Sequence, residues 1–208
     1  MVKTMTPSTT MTAGQIGKLC DLLSAALRKA ELPNEPSQRV IEEQGGPLVD
    51  ELVGVIRKRV EELSNLIVRK AKVNRSRSPQ EAFDATGRKQ YRDRKVVDSM
   101  PKGEGDEVEV VFFELGRFVD DDELEREYER RGLKPVDPYS LAAVNEADPA
   151  FADEKPNGTH WQDADGRWCF AMFNRRHDGH HVDFSRYDHD WNDRGWFAGV
   201  RLTAQAGK

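Results

Sequence analysis

Between Gly158 and Leu202 the chain gathers all four of its tryptophans and all five of its histidines, in a pattern that reads as sheet. Four runs carry it: Thr159 to Gln162, Arg167 to Asn174, His180 to Tyr187 and Trp196 to Leu202. Asp163-Ala164-Asp165-Gly166 and Asp178-Gly179 are turn sequences between successive runs. Such short connections join antiparallel neighbours, so a meander is the economical arrangement. In the third run Val182 and Phe184 share one face while His181, Asp183, Ser185 and Tyr187 share the other, which predicts one dry side and one wet side.

The first third of the chain reads differently. Residues 1–11 form a Thr-rich tail, expected to be disordered. Thr12-Ala13-Gly14-Gln15 has the spacing of a capping box, and Ile16, Leu19, Leu22, Leu23, Ala26, Leu27 and Ala30 follow at helical intervals until Pro33 and Pro36 intervene. A short helical piece over 37–44 is expected to end at Gly45-Gly46-Pro47. A longer helix then carries Leu48, Leu52, Val55, Ile56, Val60, Leu63 and Ile67 as far as about Lys72. Neither stripe can be hidden by its own helix. The two are expected to pack as a hairpin or bundle, against the C-terminal part, or against another copy of the chain.

Net charge is −5, but the charge is segregated. Residues 69–95 carry ten basic and three acidic side chains, a sum of +7, whereas 96–208 sum to −11. Within this basic belt Ser78-Pro79-Gln80-Glu81 is a second capping box, which opens a short helix that Gly87 closes. Glu107 to Phe113 follows as a strand. Asp120 then caps a helix over 121–131, with Val119 and Leu124 placed as a hydrophobic staple and Gly132 as its stop. Asp137-Pro138 opens another short helix that ends at Asp148-Pro149. The predicted fold class is α+β: an N-terminal helical hairpin or bundle, then a mostly antiparallel sheet of about four to five strands with two or three helices. The expected divisions are a tail over 1–11, a helical segment over 12–72, a basic connector with one short helix over 73–106, and an α+β domain over 107–208.

No run reaches the roughly 20 apolar residues of a membrane-spanning helix, and the N-terminus lacks the apolar core of a secretory signal, so no membrane partner and a cytoplasmic location are expected. Two cysteines, Cys20 and Cys169, suggest neither a disulfide framework nor a thiolate metal site, and both are expected to be buried thiols.

The run DPYSLAAVNEADPAFAD (137–153), Thr159-His160-Trp161, Asp165-Gly166-Arg167-Trp168-Cys169 and Trp196-Phe197-Ala198-Gly199-Val200-Arg201 resemble a family of uncharacterised bacterial proteins, over about Ser78 to Arg201. The resemblance implies a shared domain, supplies no activity, and leaves the N-terminal helices outside it.

No motif specifies a reaction, and no cofactor is implied. His177, His180, His181 and His189, interleaved with Asp178, Asp183, Asp188 and Asp190, are candidate metal ligands, but adjacent strand residues point to opposite faces and no HExxH-type spacing fixes two on one. Arg75, Arg77, Arg88, Lys89, Arg92, Arg94 and Lys95 are candidate polyanion contacts; pairing with the acidic half of the same chain is the favoured reading. Trp161, Tyr187 and Trp191 are a candidate aromatic surface, with core packing expected for most of the tryptophans. The leading reading is a non-enzymatic interaction or scaffold protein whose N-terminal helices bind a protein partner or a second copy. The alternatives are a nucleic-acid-associated protein using 69–95 and a metal-dependent hydrolase using the His/Asp hairpins.

Overall fold

The computed structural model describes residues 11–186, 190–191 and 194–202. Among these the chain divides after Lys58 into two compact units.

In the first unit α1 (Ala13–Lys29) starts at the predicted capping box, where the Gln15 side chain accepts from the Thr12 amide at 2.8 Å and Thr12 Oγ1 accepts from the Gln15 amide at 3.3 Å. No residue of α1 is buried. The next element, α2 (Asn34–Ser64), corrects the expected break at Gly45-Gly46-Pro47, because the helix runs through it. An interior proline costs a helix about 3 kcal/mol and each glycine about 1 kcal/mol relative to alanine. Cβ atoms added at Gly45 and Gly46 meet nothing within 4 Å. Gly45→Ala and Gly46→Ala are therefore expected to raise helicity and to stabilise α2 by about 1 kcal/mol each, read from circular dichroism melts. Unchanged helicity would place a break at Pro47.

The second unit is α+β, with a sheet larger than predicted and of mixed direction. Its elements in order are β1 (Leu66–Lys72), α3 (Pro79–Asp84), β2 (Lys89–Arg92), α4 (Arg94–Asp98), β3 (Glu107–Glu114), α5 (Asp121–Arg130), β4 (Leu133–Pro135), α6 (Pro138–Ala147), α7 (Phe151–Glu154), β5 (Asn157–Gln162), β6 (Trp168–Arg176), β7 (Gly179–Arg186) and β8 (Trp196–Arg201). The eight described strands run β1-β3-β8-β5-β6-β7-β2, with β4 also on β8. The meander β5-β6-β7 is antiparallel as expected, but β2 lies parallel to β7 and β5 parallel to β8.

Two assigned boundaries change. The helical segment does not reach Lys72, because Asn65 turns to φ +49°, a left-handed conformation that asparagine tolerates and that ends the helix. Beyond it Ile67 and Ala71 point into the core while Leu66, Val68, Lys70 and Lys72 point out, a period of two along a strand paired with β3 from Leu66↔Phe113 to Lys72↔Glu107. The segment 73–106 is not a connector either. Its helices α3 and α4 bury Ala82, Phe83, Val96 and Val97 in the main core, and Phe83 stands edge-on to Phe184 at 4.4 Å.

The sheet has apolar layers on both faces. One joins Val110, Phe112, Ala171, Phe173, Val182, Phe184 and Ala198 to α3, α4, α6 and α7. The other joins Val111, Phe113 and Phe197 to Leu124 and Tyr128 of α5 and to Val119 and Trp191. The predicted staple closes there, since Val119 and Leu124 are both buried, and Asp120 caps α5 by accepting from the Glu123 amide at 2.7 Å. Tyr128 is fully enclosed and donates its hydroxyl to the Ala198 carbonyl at 3.0 Å; burial, with Glu125 nearby, pushes its pKa well above that of an ordinary tyrosine.

Candidate functional site

The basic belt is largely spent inside the second unit. Arg75 holds the Asp137 carboxylate with both terminal nitrogens, at 2.5 and 3.2 Å, and also donates to Ser140. Arg77 forks onto Glu146 at 2.6 and 3.1 Å, which raises the Arg77 pKa. Arg88 is buried, donating to the Asn174 and Pro149 carbonyls at 2.9 and 2.6 Å and pairing with Asp153. Lys89 pairs with Asp178, Arg94 with Asp98, and Arg92 donates to Gln80. Lys95 stands in the first turn of α4, with its amide on the Asp93 carboxylate. Five of the carboxylates, Asp98, Asp137, Glu146, Asp153 and Asp178, come from the acidic half of the chain.

The histidines are dispersed rather than convergent. His181 is enclosed in the sheet, with Nε2 on Asp178 at 2.8 Å and its ring stacked on Tyr91 at 5.3 Å. His180 faces the other way and meets Asp153 through Nδ1 at 2.9 Å. His177 is exposed in the β6–β7 turn. His189 lies outside the described residues, as does Tyr187 of the candidate aromatic surface. Among the described residues no group of three or more His, Cys, Asp or Glu side chains is placed to hold a metal ion. The aromatic surface is corrected for its other two members: Trp161 and Trp191 are both buried, with their indole N–H groups on Ser99 Oγ at 3.1 Å and Asp121 Oδ1 at 2.8 Å. Trp161, Trp191 and Trp196 are consumed by the two cores because no other side chains bury as much area. Cys169 is buried, and that burial raises its thiol pKa; Cys20, on the bare helix α1, is exposed against expectation.

The feature the sequence did not disclose is a cleft where the sheet splits. β8 pairs with β5 only at Asn157↔Trp196 and Gly158↔Phe197, and beyond that point with β4, from Pro135↔Gly199 to Leu133↔Arg201. β5 therefore diverges from β8 after Gly158, and Thr159 Oγ1 ties it to the Val136 carbonyl at 2.5 Å. Gly199 allows the wedge, since a Cβ there would stand 3.0 Å from both the Lys134 carbonyl and the Tyr128 ring. The resulting cleft, about 890 Å³, runs between the Pro101–Glu109 stretch, β4, the far end of β5 and the end of β8, with Trp168 on its wall. This is the size of ordinary small-molecule sites.

His160 forms part of that wall from within. Its Nε2 lies 2.6 Å from Glu125 Oε1, and its ring packs among Trp168 at 4.8 Å, Tyr128 at 5.4 Å and Trp191 at 5.4 Å. The side chain is 1% exposed and that of Glu125 is 39% exposed, so a buried imidazole fixes a carboxylate that solvent reaches. One turn back on α5, Asp121 accepts the Trp191 indole bond; burial raises its pKa, against the pull of that bond and of His160. The only trace of this site in the sequence is the spacing of Asp121, Glu125 and Tyr128 on one helix, which names no partner across the sheet.

Comparisons with protein-family models, curated proteins and solved structures find no match. Among the described residues no helix is long and apolar enough to cross a membrane.

Proposed function

We propose that the chain is a non-enzymatic interaction protein that assembles with a second copy of itself through α1 and α2, carrying the α+β unit as its payload. The observation behind this reading is the bare apolar face of the first unit: Ile16, Leu22, Leu23 and Leu27 of α1 and Val40, Ile41, Leu48, Val49, Leu52, Val53 and Val55 of α2 are all exposed, Leu22 at 57% and Val55 at 61%. Exposed apolar side chains repeated along both helices mark an interface. Each such side chain contributes about 1.5–3 kcal/mol when fully buried. The helical hairpin or bundle expected from the sequence then forms across copies.

Charge selects a second copy as the occupant. As far as Glu51, α2 carries Glu35, Glu42, Glu43, Asp50 and Glu51 against Arg39; Arg57, Lys58 and Arg59 follow, then Glu61 and Glu62. An antiparallel pair of α2 helices centred near Asp50 sets Arg57 and Lys58 of one copy against Glu43 and Glu42 of the other, the self-complementarity that a two-fold interface requires.

The nucleic-acid alternative loses ground because the belt arginines already hold carboxylates, and the hydrolase alternative because the described histidines do not converge. The resemblance to uncharacterised bacterial proteins over about Ser78 to Arg201 makes the second unit the shared domain.

The test is the mass of the full chain by sedimentation equilibrium. The chain is expected to be a dimer at about 50 µM and the Leu48→Asp/Leu52→Asp variant a monomer with an intact second unit. A monomeric parent chain, or a variant that still assembles, overturns the proposal.

A further inference from the structure

We propose that the split-sheet cleft binds an alkylammonium group, a primary amine on a short apolar chain, between Glu125 and the Trp168 ring. Apart from His160, eight ionisable side chains line its wall; Arg75 is committed to Asp137, and Arg201 approaches Glu109 at 3.8 Å. What remains is Glu104, Glu107 and Glu125 against Lys134, an excess of negative charge in a concave, partly apolar space. Lys72 stands opposite Glu107 in the β1–β3 ladder, outside the cleft wall. A cleft focuses such a field and attracts cations.

His160 fixes the carboxylate from behind. With Nε2–H donating to Glu125, its only polar atom left over is Nδ1, which has no hydrogen-bond partner among the described residues and is sealed from solvent. A side chain this deeply buried and incompletely satisfied is a cost to the fold. The arrangement holds one carboxylate in a single orientation, with its second oxygen available at the cleft. Such a preorganised acceptor loses less entropy on binding than a free surface glutamate.

Trp168 is half-buried beside His160, and Val108, Pro135 and Val200 add apolar surface. An indole face attracts ammonium groups by about 0.5–2 kcal/mol, and the apolar wall suits a methylene chain. A carboxylate, an indole and an apolar slot together select an amine over an anion or a neutral alcohol. The amine has two sources, a free diamine or the side chain of a lysine in a peptide.

Calorimetric titration of the full chain tests this with 1,5-diaminopentane in one arm and Nα-acetyl-lysine methylamide in the other, with 1,5-pentanediol as the neutral control. Saturable one-to-one binding of at least one amine is expected, with the tighter of the two identifying the source. Glu125→Gln, which keeps the shape of the side chain, and Trp168→Leu are each expected to weaken it by about tenfold, the size of one charge-assisted hydrogen bond. Circular dichroism checks that both variants fold, and Glu107→Gln on β3 provides an independent reduction of charge with an expected loss of about threefold. The proposal is overturned if neither amine saturates by about 10 mM, if the pentanediol binds as tightly, or if the folded variants bind as the parent chain does. It is independent of self-association: the monomeric Leu48→Asp/Leu52→Asp variant is expected to bind the amine as the parent chain does.

Discussion

A chain beginning at Val73 is expected to lose the cooperative unfolding of its second unit, whereas one beginning at Arg59 keeps it. The difference is β1. Starting at Val73 removes Ile67 and Ala71 from the main core and strips seven residue pairs from β3. Ile67 alone contributes about 1.5–3 kcal/mol by burial. The exposed flank of β3 would present Val110 and Phe112, both wholly buried in the intact chain, beside an unpaired ladder prone to association. Against a total stability of about 5–15 kcal/mol these losses are decisive. Starting at Arg59 retains β1 together with the Glu61–Arg69 ion pair at 2.5 Å. Urea titration followed by tryptophan fluorescence distinguishes the two; a sharp transition in the Val73 chain at the same midpoint as in the Arg59 chain contradicts this placement of β1.

The second large effect is expected at Arg88. Its side chain is 2% exposed, lies over the Phe173 ring at 5.8 Å and satisfies two carbonyls and Asp153 at once. Arg88→Ala removes all of these partners and leaves the largely buried Asp153 carboxylate to the exposed side chains of His180, at 2.9 Å, and Arg175, at 3.8 Å. Deleting one member of a buried pair costs about 3–5 kcal/mol. The variant should unfold at markedly lower denaturant, while Arg94→Ala, at a fully exposed position of the same belt, should change stability by less than about 0.5 kcal/mol. Equal, small effects at both sites would show the belt to be a solvated surface, and would reopen the nucleic-acid reading.

Much of the chain was legible in its local signals. The caps at Thr12, Ser78, Asp120 and Asp137 act at the positions their spacing predicts, because a capping box is a contact over three residues. The meander and its turns were equally local. What the sequence concealed was set by tertiary pairing. The apolar spacing of α2 continues by coincidence through Ile67, and only the left-handed Asn65 separates helix from strand. β2, the four-residue strand Lys89–Arg92, finds its parallel place on β7 through contacts from a distant part of the chain. The charge segregation was readable, and so was its internal pairing. The His160–Glu125 contact was not, since two residues thirty-five positions apart on a strand and a helix meet only once the sheet has split.

The central claim, antiparallel self-association through α2, is tested most directly by exchanging its charges in two full-length variants. Glu42→Lys/Glu43→Lys makes the facing segments of both copies basic, and Arg57→Glu/Lys58→Glu makes them acidic, so each variant alone should be shifted toward monomer in low salt. Mixed in equal amounts, the two should form a heterodimer in native mass spectrometry, because every like-charge contact becomes an opposite one. Heterodimer well above the statistical share is the predicted result; two variants that dimerise as the parent does, or a mixture that stays monomeric, would contradict it.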